Sequence, residues 1–155
     1  MTVLCRVAGQ WQDYLPATDR GLQYGDGLFE TMRLSGGRVP LWSLHQARLQ
    51  SGISALCFPP TTMADVLLAL DDVPLSASLD QYSAAKLLVT RGAGPRGYQS
   101  PDPVQISIQL HLFDAPRWRW SALPMGCSGL TVGVNEVRLG RQPRLAGLKH
   151  LNRLE

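Results

Sequence analysis

The chain has 155 residues, 45% of them apolar and 17% charged, enough for one packed domain and too apolar for global disorder. Its 15 basic and 12 acidic residues give a net charge of +3, a balance that suits anionic small molecules and excludes a nucleic-acid arm. No apolar stretch approaches the ~18 residues of a membrane-spanning helix, and Met1–Arg6 lacks the basic start and apolar run of a signal peptide.

Val3–Val7 is a short apolar run that meets Gly9, with Trp11 beyond it, and predicts a strand entering a hairpin. Pro16–Gly27 is rich in turn formers and charge and predicts a loop. Leu28–Leu34 predicts a strand, Ser35-Gly36-Gly37 a turn, and Arg38–Leu41 its returning partner. The period then changes. Trp42, His45, Leu49, Ile53 and Leu56 recur at helical spacing until Phe58-Pro59-Pro60. Thr61 or Thr62 starts a second helix, with Val66, Leu67 and Leu70 inward and Asp65 near its positive end.

Ala84–Thr90 predicts a compact strand and Arg91–Pro103 a loop with three glycines and three prolines. Val104–Phe113 predicts another strand, because Ile106, Ile108, Leu110 and Leu112 alternate with polar neighbours. These elements compose an α+β domain over residues 1–114, a small sheet with two helices. Residues 115–128 predict a linker, and 129–155 the beginning of a second unit. That unit opens with a strand at Leu130–Val137 and ends in the first residues of a helix. Glu155 falls inside a helical pattern with no stop signal, so a chain truncated at its C-terminus is expected.

Three cysteines, Cys5, Cys57 and Cys127, are widely spaced and form no CxxC pair, which disfavours zinc and fits a reducing compartment, the cytoplasm by default. Basic residues predominate after Arg117, which fits an anion site or acidic partners elsewhere. The chain has two lysines. Lys86 lies on an apolar strand and is expected to face solvent or a rim. Lys149 sits among apolar residues at a loop-to-helix junction, where desolvation can free its amine for Schiff-base chemistry; a solvated lysine is the plainer alternative. Arg91-Gly92-Ala93-Gly94-Pro95-Arg96-Gly97-Tyr98 pairs glycines with forked donors for carboxylate or phosphate, or is a hairpin connection. It is neither a P-loop nor a dinucleotide fingerprint. Arg48, one turn beyond His45, borders the apolar stripe and wants a fixed anion, or merely covers the core with its stem.

Four pieces, in this order, resemble the fold-type IV pyridoxal-phosphate enzymes: Asp19-Arg20-Gly21 with Tyr24–Thr31, His45–Leu49, Thr90–Tyr98, and Lys149-His150-Leu151-Asn152. That group holds the branched-chain and D-amino-acid transaminases and aminodeoxychorismate lyase. The last two pieces, with Val137–Glu155, are most similar to the lyase. The resemblance implies that Lys149 binds pyridoxal 5'-phosphate through a Schiff base and then serves as acid and base. It implies that Arg48 binds the cofactor phosphate, and that Arg96, with Arg91 and Tyr98, holds substrate carboxylates. Phe29, Glu30 and Thr31 would line the substrate side, and Asn152 would support the lysine segment.

The implied reaction converts 4-amino-4-deoxychorismate to 4-aminobenzoate and pyruvate in folate biosynthesis, in a homodimer. The implied alternative is an aminotransferase of the same fold using the same residues. In this group the glutamate on the pyridine nitrogen and the turns that complete the phosphate cup lie beyond the lysine. Residues 1–155 alone are therefore expected to bind cofactor poorly and to have no useful activity, as an inactive fragment of either enzyme.

Overall fold

A computed structural model describes residues 1–74, 78–115 and 132–153. Five antiparallel strands form one sheet: β1 (Thr2–Val7), β2 (Gln10–Gln12), β3 (Gly27–Arg33), β4 (Ala84–Thr90) and β5 (Ser107–Phe113), in the order β2-β1-β5-β4-β3. Two longer helices, α2 (Trp42–Ala55) and α3 (Thr62–Asp71), follow β3. A short helix α1 (Arg20–Tyr24) precedes it. The architecture is α+β.

The core lies between one sheet face and α2–α3. Leu28, Met32 and Leu34 from the β3 side meet Ala85, Leu87 and Val89 of β4 and Ile108, Leu110 and Leu112 of β5. Leu49 and Ile53 of α2 and Met63, Val66 and Ala69 of α3 close over them. Each fully buried aliphatic side chain of this kind stabilises the fold by about 1.5–3 kcal/mol. In β4 and β5 the alternation of buried and half-buried residues fixes which of them face the helices, because successive side chains leave a strand on opposite faces.

Four elements differ from the sequence expectation. Pro16–Gly27 is not all loop: Asp19 caps α1 by accepting from the Gly21 amide, and Gly25, at φ +66°, ends it in the left-handed region glycine favours. Arg38–Leu41 is not a returning strand. Only Ser35 and Arg38 bridge, and β3 pairs with β4 instead, because a seven-residue ladder with β4 satisfies far more backbone than a tight hairpin there. In α3 the inward face is Thr62, Met63, Val66 and Ala69, while Leu67 points outward, 41% exposed. Residues 132–137, expected as a strand, are irregular and exposed, and no helix forms up to residue 153. Most of the expected linker lies outside the described residues.

Asp19 does more than cap. It is fully buried, and its second oxygen accepts from Thr90 Oγ1 at 2.8 Å, which ties α1 to the end of β4. Asp19→Ala orphans the Gly21 amide and the Thr90 hydroxyl together. The expected loss is about 2 kcal/mol of unfolding free energy, read from urea denaturation.

Candidate active site

The sequence around residue 149 forms no helix. Residues 143–147 turn, Gly147 adopts φ +81°, and the chain then runs extended along the free edge of β3. The Phe29 amide donates to the Lys149 carbonyl and the Leu151 amide to the Gly27 carbonyl, both at 2.9 Å, with Leu28 opposite His150. This pairing sets Lys149 directly across from Phe29, on the same face. The Lys149 ammonium stands 4.2 Å from the centre of the Phe29 ring, a cation–π contact. Asn152 follows at once. Its Cα would lie 3.3 Å from any Cβ placed on Gly25, so a glycine there admits the lysine segment.

Phe29 and Thr31 face away from the helices, together with Lys86 and Leu88 of β4 and Gln109 and His111 of β5. Lys86 does not simply point to solvent: it is half-buried, its ammonium 5.1 Å from the centre of the same Phe29 ring. Burial, with the neighbouring Lys86 charge, holds the His111 imidazole below its ordinary pKa.

Alternation separates Glu30 from Phe29 and Thr31. Glu30 projects to the helix side, where it is 1% exposed and meets α2. Arg48 Nε donates to Glu30 Oε1 at 2.7 Å, Arg48 Nη2 donates to Oε2, and His45 Nδ1 lies 2.7 Å from Oε2. Burial pushes the Glu30 carboxyl up, but hydrogen bonds and charge from Arg48 and His45 outweigh it and hold the group below the usual range. The hydrogen bond from Glu30 raises the Arg48 guanidinium in turn. The Arg48 side chain nevertheless stays 47% exposed, so part of it faces outward from β3. Glu30 therefore does not line the face of Lys149 as expected. It anchors Arg48 from behind.

Arg91 also departs from its expected place. It is 8% exposed, and its Nε donates to Asp26 at 3.0 Å. Nη1 and Nη2 donate to the carbonyls of Cys57 and Leu56 at 3.1 and 2.7 Å, and the guanidinium stacks on Phe58. It caps the C-terminal end of α2, where a cation is favoured, and a substrate carboxylate would have to displace Asp26.

Arg20 performs the companion task. It donates to Asp26 and to the carbonyls of Gly97, Tyr98 and Gln99 at 2.8–3.2 Å. It thereby pins the loop that carries Arg96 and Tyr98, both exposed, with Tyr98 packed on Tyr24. The pinning role of Arg20 was hidden in sequence because its partners are backbone carbonyls 77–79 residues away.

Two hollows of about 240 and 370 Å³ lie on the helix side of the sheet, and neither is lined by Lys149 or Arg48. Among the described residues the face of Lys149 is an open surface instead. Among the described residues no group of histidine, cysteine and acidic side chains is arranged to hold a metal ion, and no helix is long and apolar enough to cross a membrane.

A family profile described as amino-transferase class IV matches residues 27–155. An aminodeoxychorismate lyase of Vibrio harveyi is 37% identical over 153 residues, covering 96% of this chain and 53% of the relative. The crystal structure of 4-amino-4-deoxychorismate lyase from Pseudomonas aeruginosa is similar with a TM-score of 0.78 at 39% identity, covering 97% of this chain and 53% of that one. A D-alanine aminotransferase of Listeria innocua is 29% identical over 102 residues, 64% of this chain and 35% of the relative. The chain thus spans about half the length of the two lyases it resembles.

Proposed function

The chain belongs to the class IV amino-transferase family, with the sheet-and-helix unit of the fold-type IV N-terminal domain, and from that premise we propose that it serves a pyridoxal-phosphate lyase. The reaction is conversion of 4-amino-4-deoxychorismate to 4-aminobenzoate and pyruvate, a step of folate biosynthesis. The observation that carries the reading is the position of Lys149, its amine held against Phe29 on an open sheet face. The lyase is favoured over a transaminase because the likeness to the Vibrio harveyi lyase runs through 96% of the chain.

The residues present fit the cofactor. Its aldehyde needs an amine, which Lys149 offers, and its dianionic phosphate needs a permanently charged, planar donor, which half-exposed Arg48 offers. Lys149 and Arg48 flank β3 at consecutive residues, Phe29 and Glu30, on opposite faces. When bound, the cofactor supplies an electron sink conjugated to the substrate nitrogen.

Lys149 Nζ would hold the cofactor, and the same nitrogen, when free, would carry the proton taken from the substrate ring carbon that bears nitrogen. The enolpyruvyl group would leave and take up a proton to become pyruvate. Phe29 shields that amine from water on one side. Glu30 and His45 keep the Arg48 fork in register with the phosphate. Thr31 lines the substrate side. Arg96 and Tyr98, on the loop that Arg20 fixes, receive substrate carboxylates. Asn152, close against Gly25, keeps Lys149 in place. The reading includes a cytoplasmic homodimer, in keeping with the unbridged thiols of Cys5 and Cys57.

The test is product analysis. The cofactor-loaded protein is expected to release 4-aminobenzoate and pyruvate in equal amounts from 4-amino-4-deoxychorismate. Amino transfer to a keto acid without 4-aminobenzoate would replace the lyase reading with the transaminase one.

A further inference from the structure

The chain has only two lysines, and the fold brings both to one phenyl ring. Lys149 reaches Phe29 from the paired edge and Lys86 reaches it from β4, the neighbouring strand. A lysine on a central strand ordinarily extends its ammonium into water or pairs with an acid. Lys86 does neither. Among the described residues it has no ion pair, and the open face supplies none: Phe29, Thr31 and Arg33 of β3, Ala84, Lys86 and Leu88 of β4, and Gln109, His111 and Phe113 of β5 include no carboxylate.

Register makes the arrangement specific. Thr31 lies directly opposite Lys86, and Lys86 directly opposite His111. A hydroxyl, an ammonium and an imidazole therefore stand in one cross-strand row, with Cβ atoms about 5 Å apart. Burial, and then the Lys86 charge, hold the His111 imidazole below its ordinary pKa, which disfavours a second cation beside the ammonium. His111 Nε2 lies 3.3 Å from Gln109 Oε1 in the next row. The row offers a hydroxyl and an ammonium as donors and contains no acid, which is complementary to a carboxylate.

We infer that Thr31, Lys86 and His111 form a carboxylate-binding subsite, one phenyl ring away from Lys149, that orients an anionic substrate for reaction at that amine. The inference rests on the reading of Lys149 as the reacting group. Lys86 is the specificity-determining residue, Thr31 supplies a second hydrogen bond, and the Phe29 ring spaces the bound carboxylate from the reacting nitrogen. The subsite is distinct from Arg96 and Tyr98, which sit on the loop beyond β4.

Benzoate is the probe, because it carries the carboxylate without the amine or ether on which turnover depends. Titration calorimetry at low ionic strength on the cofactor-loaded protein is expected to show saturable benzoate binding. Lys86→Met is expected to weaken it at least threefold and Lys86→Arg to keep it within threefold, with the visible absorbance of bound cofactor unchanged in both. Thr31→Val is expected to weaken it by a smaller factor in the same direction. Absence of benzoate binding in the parent protein overturns the inference. So does a change under threefold in Lys86→Met, or loss of the cofactor absorbance in that variant. Failure of the lyase reading shows separately, as absence of 4-aminobenzoate from the parent protein, and leaves the benzoate titration unmoved.

Discussion

Lys149→Ala is expected to abolish covalent retention of pyridoxal phosphate and to lower turnover of 4-amino-4-deoxychorismate by ~10⁴-fold or more. A factor of that size is about 5.5 kcal/mol of activation free energy, at 1.36 kcal/mol for each tenfold. It is large because, in the proposed function, the same nitrogen both holds the cofactor and carries the proton. The substitution should leave the fold intact. The segment is held to β3 by backbone hydrogen bonds from Phe29 and Leu151, which an alanine side chain does not disturb. The check has two parts. Borohydride reduction of the loaded protein followed by peptide mass analysis should mark Lys149 in the parent and nothing at position 149 in the variant. Thermal unfolding without cofactor should give the same midpoint for both. Retention of a reducible adduct in Lys149→Ala would move the assignment to the one other lysine, Lys86.

Glu30→Ala is expected to cost about 3 kcal/mol of unfolding free energy and to weaken phosphate binding by at least tenfold. Removing the buried carboxylate strands His45 and Arg48 together, and breaking a buried charged pair typically costs ~3–5 kcal/mol. The lower end applies because Arg48 is half-exposed and can turn to water. The same change frees the guanidinium from the position that Glu30 imposes, so the effect on phosphate comes through Arg48. Titration of inorganic phosphate against both proteins reads that term.

Glu30 also predicts a pH dependence. Its carboxyl is held below its usual range in the folded protein. The stability it contributes is therefore complete above the ordinary carboxylate range and is lost as pH falls through the lowered folded value. The difference in unfolding free energy between parent and Glu30→Gln should shrink from neutral pH to about pH 3. A difference independent of pH across that window would mean that Glu30 is held by shape and not by charge.

The local patterns of the chain carried the strands and helices well. β4 begins and ends where the apolar run Ala84–Thr90 does, and the helical spacing from Trp42 marks α2. Those signals are local, since a strand or helix shows its own periodicity. The short helix α1 was missed because its cap depends on Asp19, which reads equally as a turn residue. The expected partner of β3 was wrong for a related reason. Ser35-Gly36-Gly37 is a good turn, but what a strand pairs with is decided by competition among all strands, and β4 offers the longer ladder.

The candidate site divides in the same way. Ordered motifs in the sequence were enough to single out Lys149 and Arg48 as candidates, and the family they resemble is the one the chain matches. The resemblance grouped Phe29, Glu30 and Thr31 as one lining of the substrate side. The sheet splits them: alternation sends Phe29 and Thr31 to the open face with Lys149 and turns Glu30 to α2. Arg91 looked like a ligand-binding arginine until tertiary contacts occupied it with Asp26 and the carbonyls that end α2. Lys86 looked unremarkable until β4 was seated between β3 and β5, which put its ammonium over Phe29.

By itself, then, the sequence determined most of the element types over residues 1–114 and the family, and it singled out Lys149 as the candidate amine, because each is written in periodicity or in residues close together in the chain. Which face each side chain occupies, which arginine stays available, and where the second lysine lies were decided only by the tertiary structure. Those properties depend on strand register and on partners far apart in the chain, as Phe29 and Lys149 are, and no local pattern encodes them.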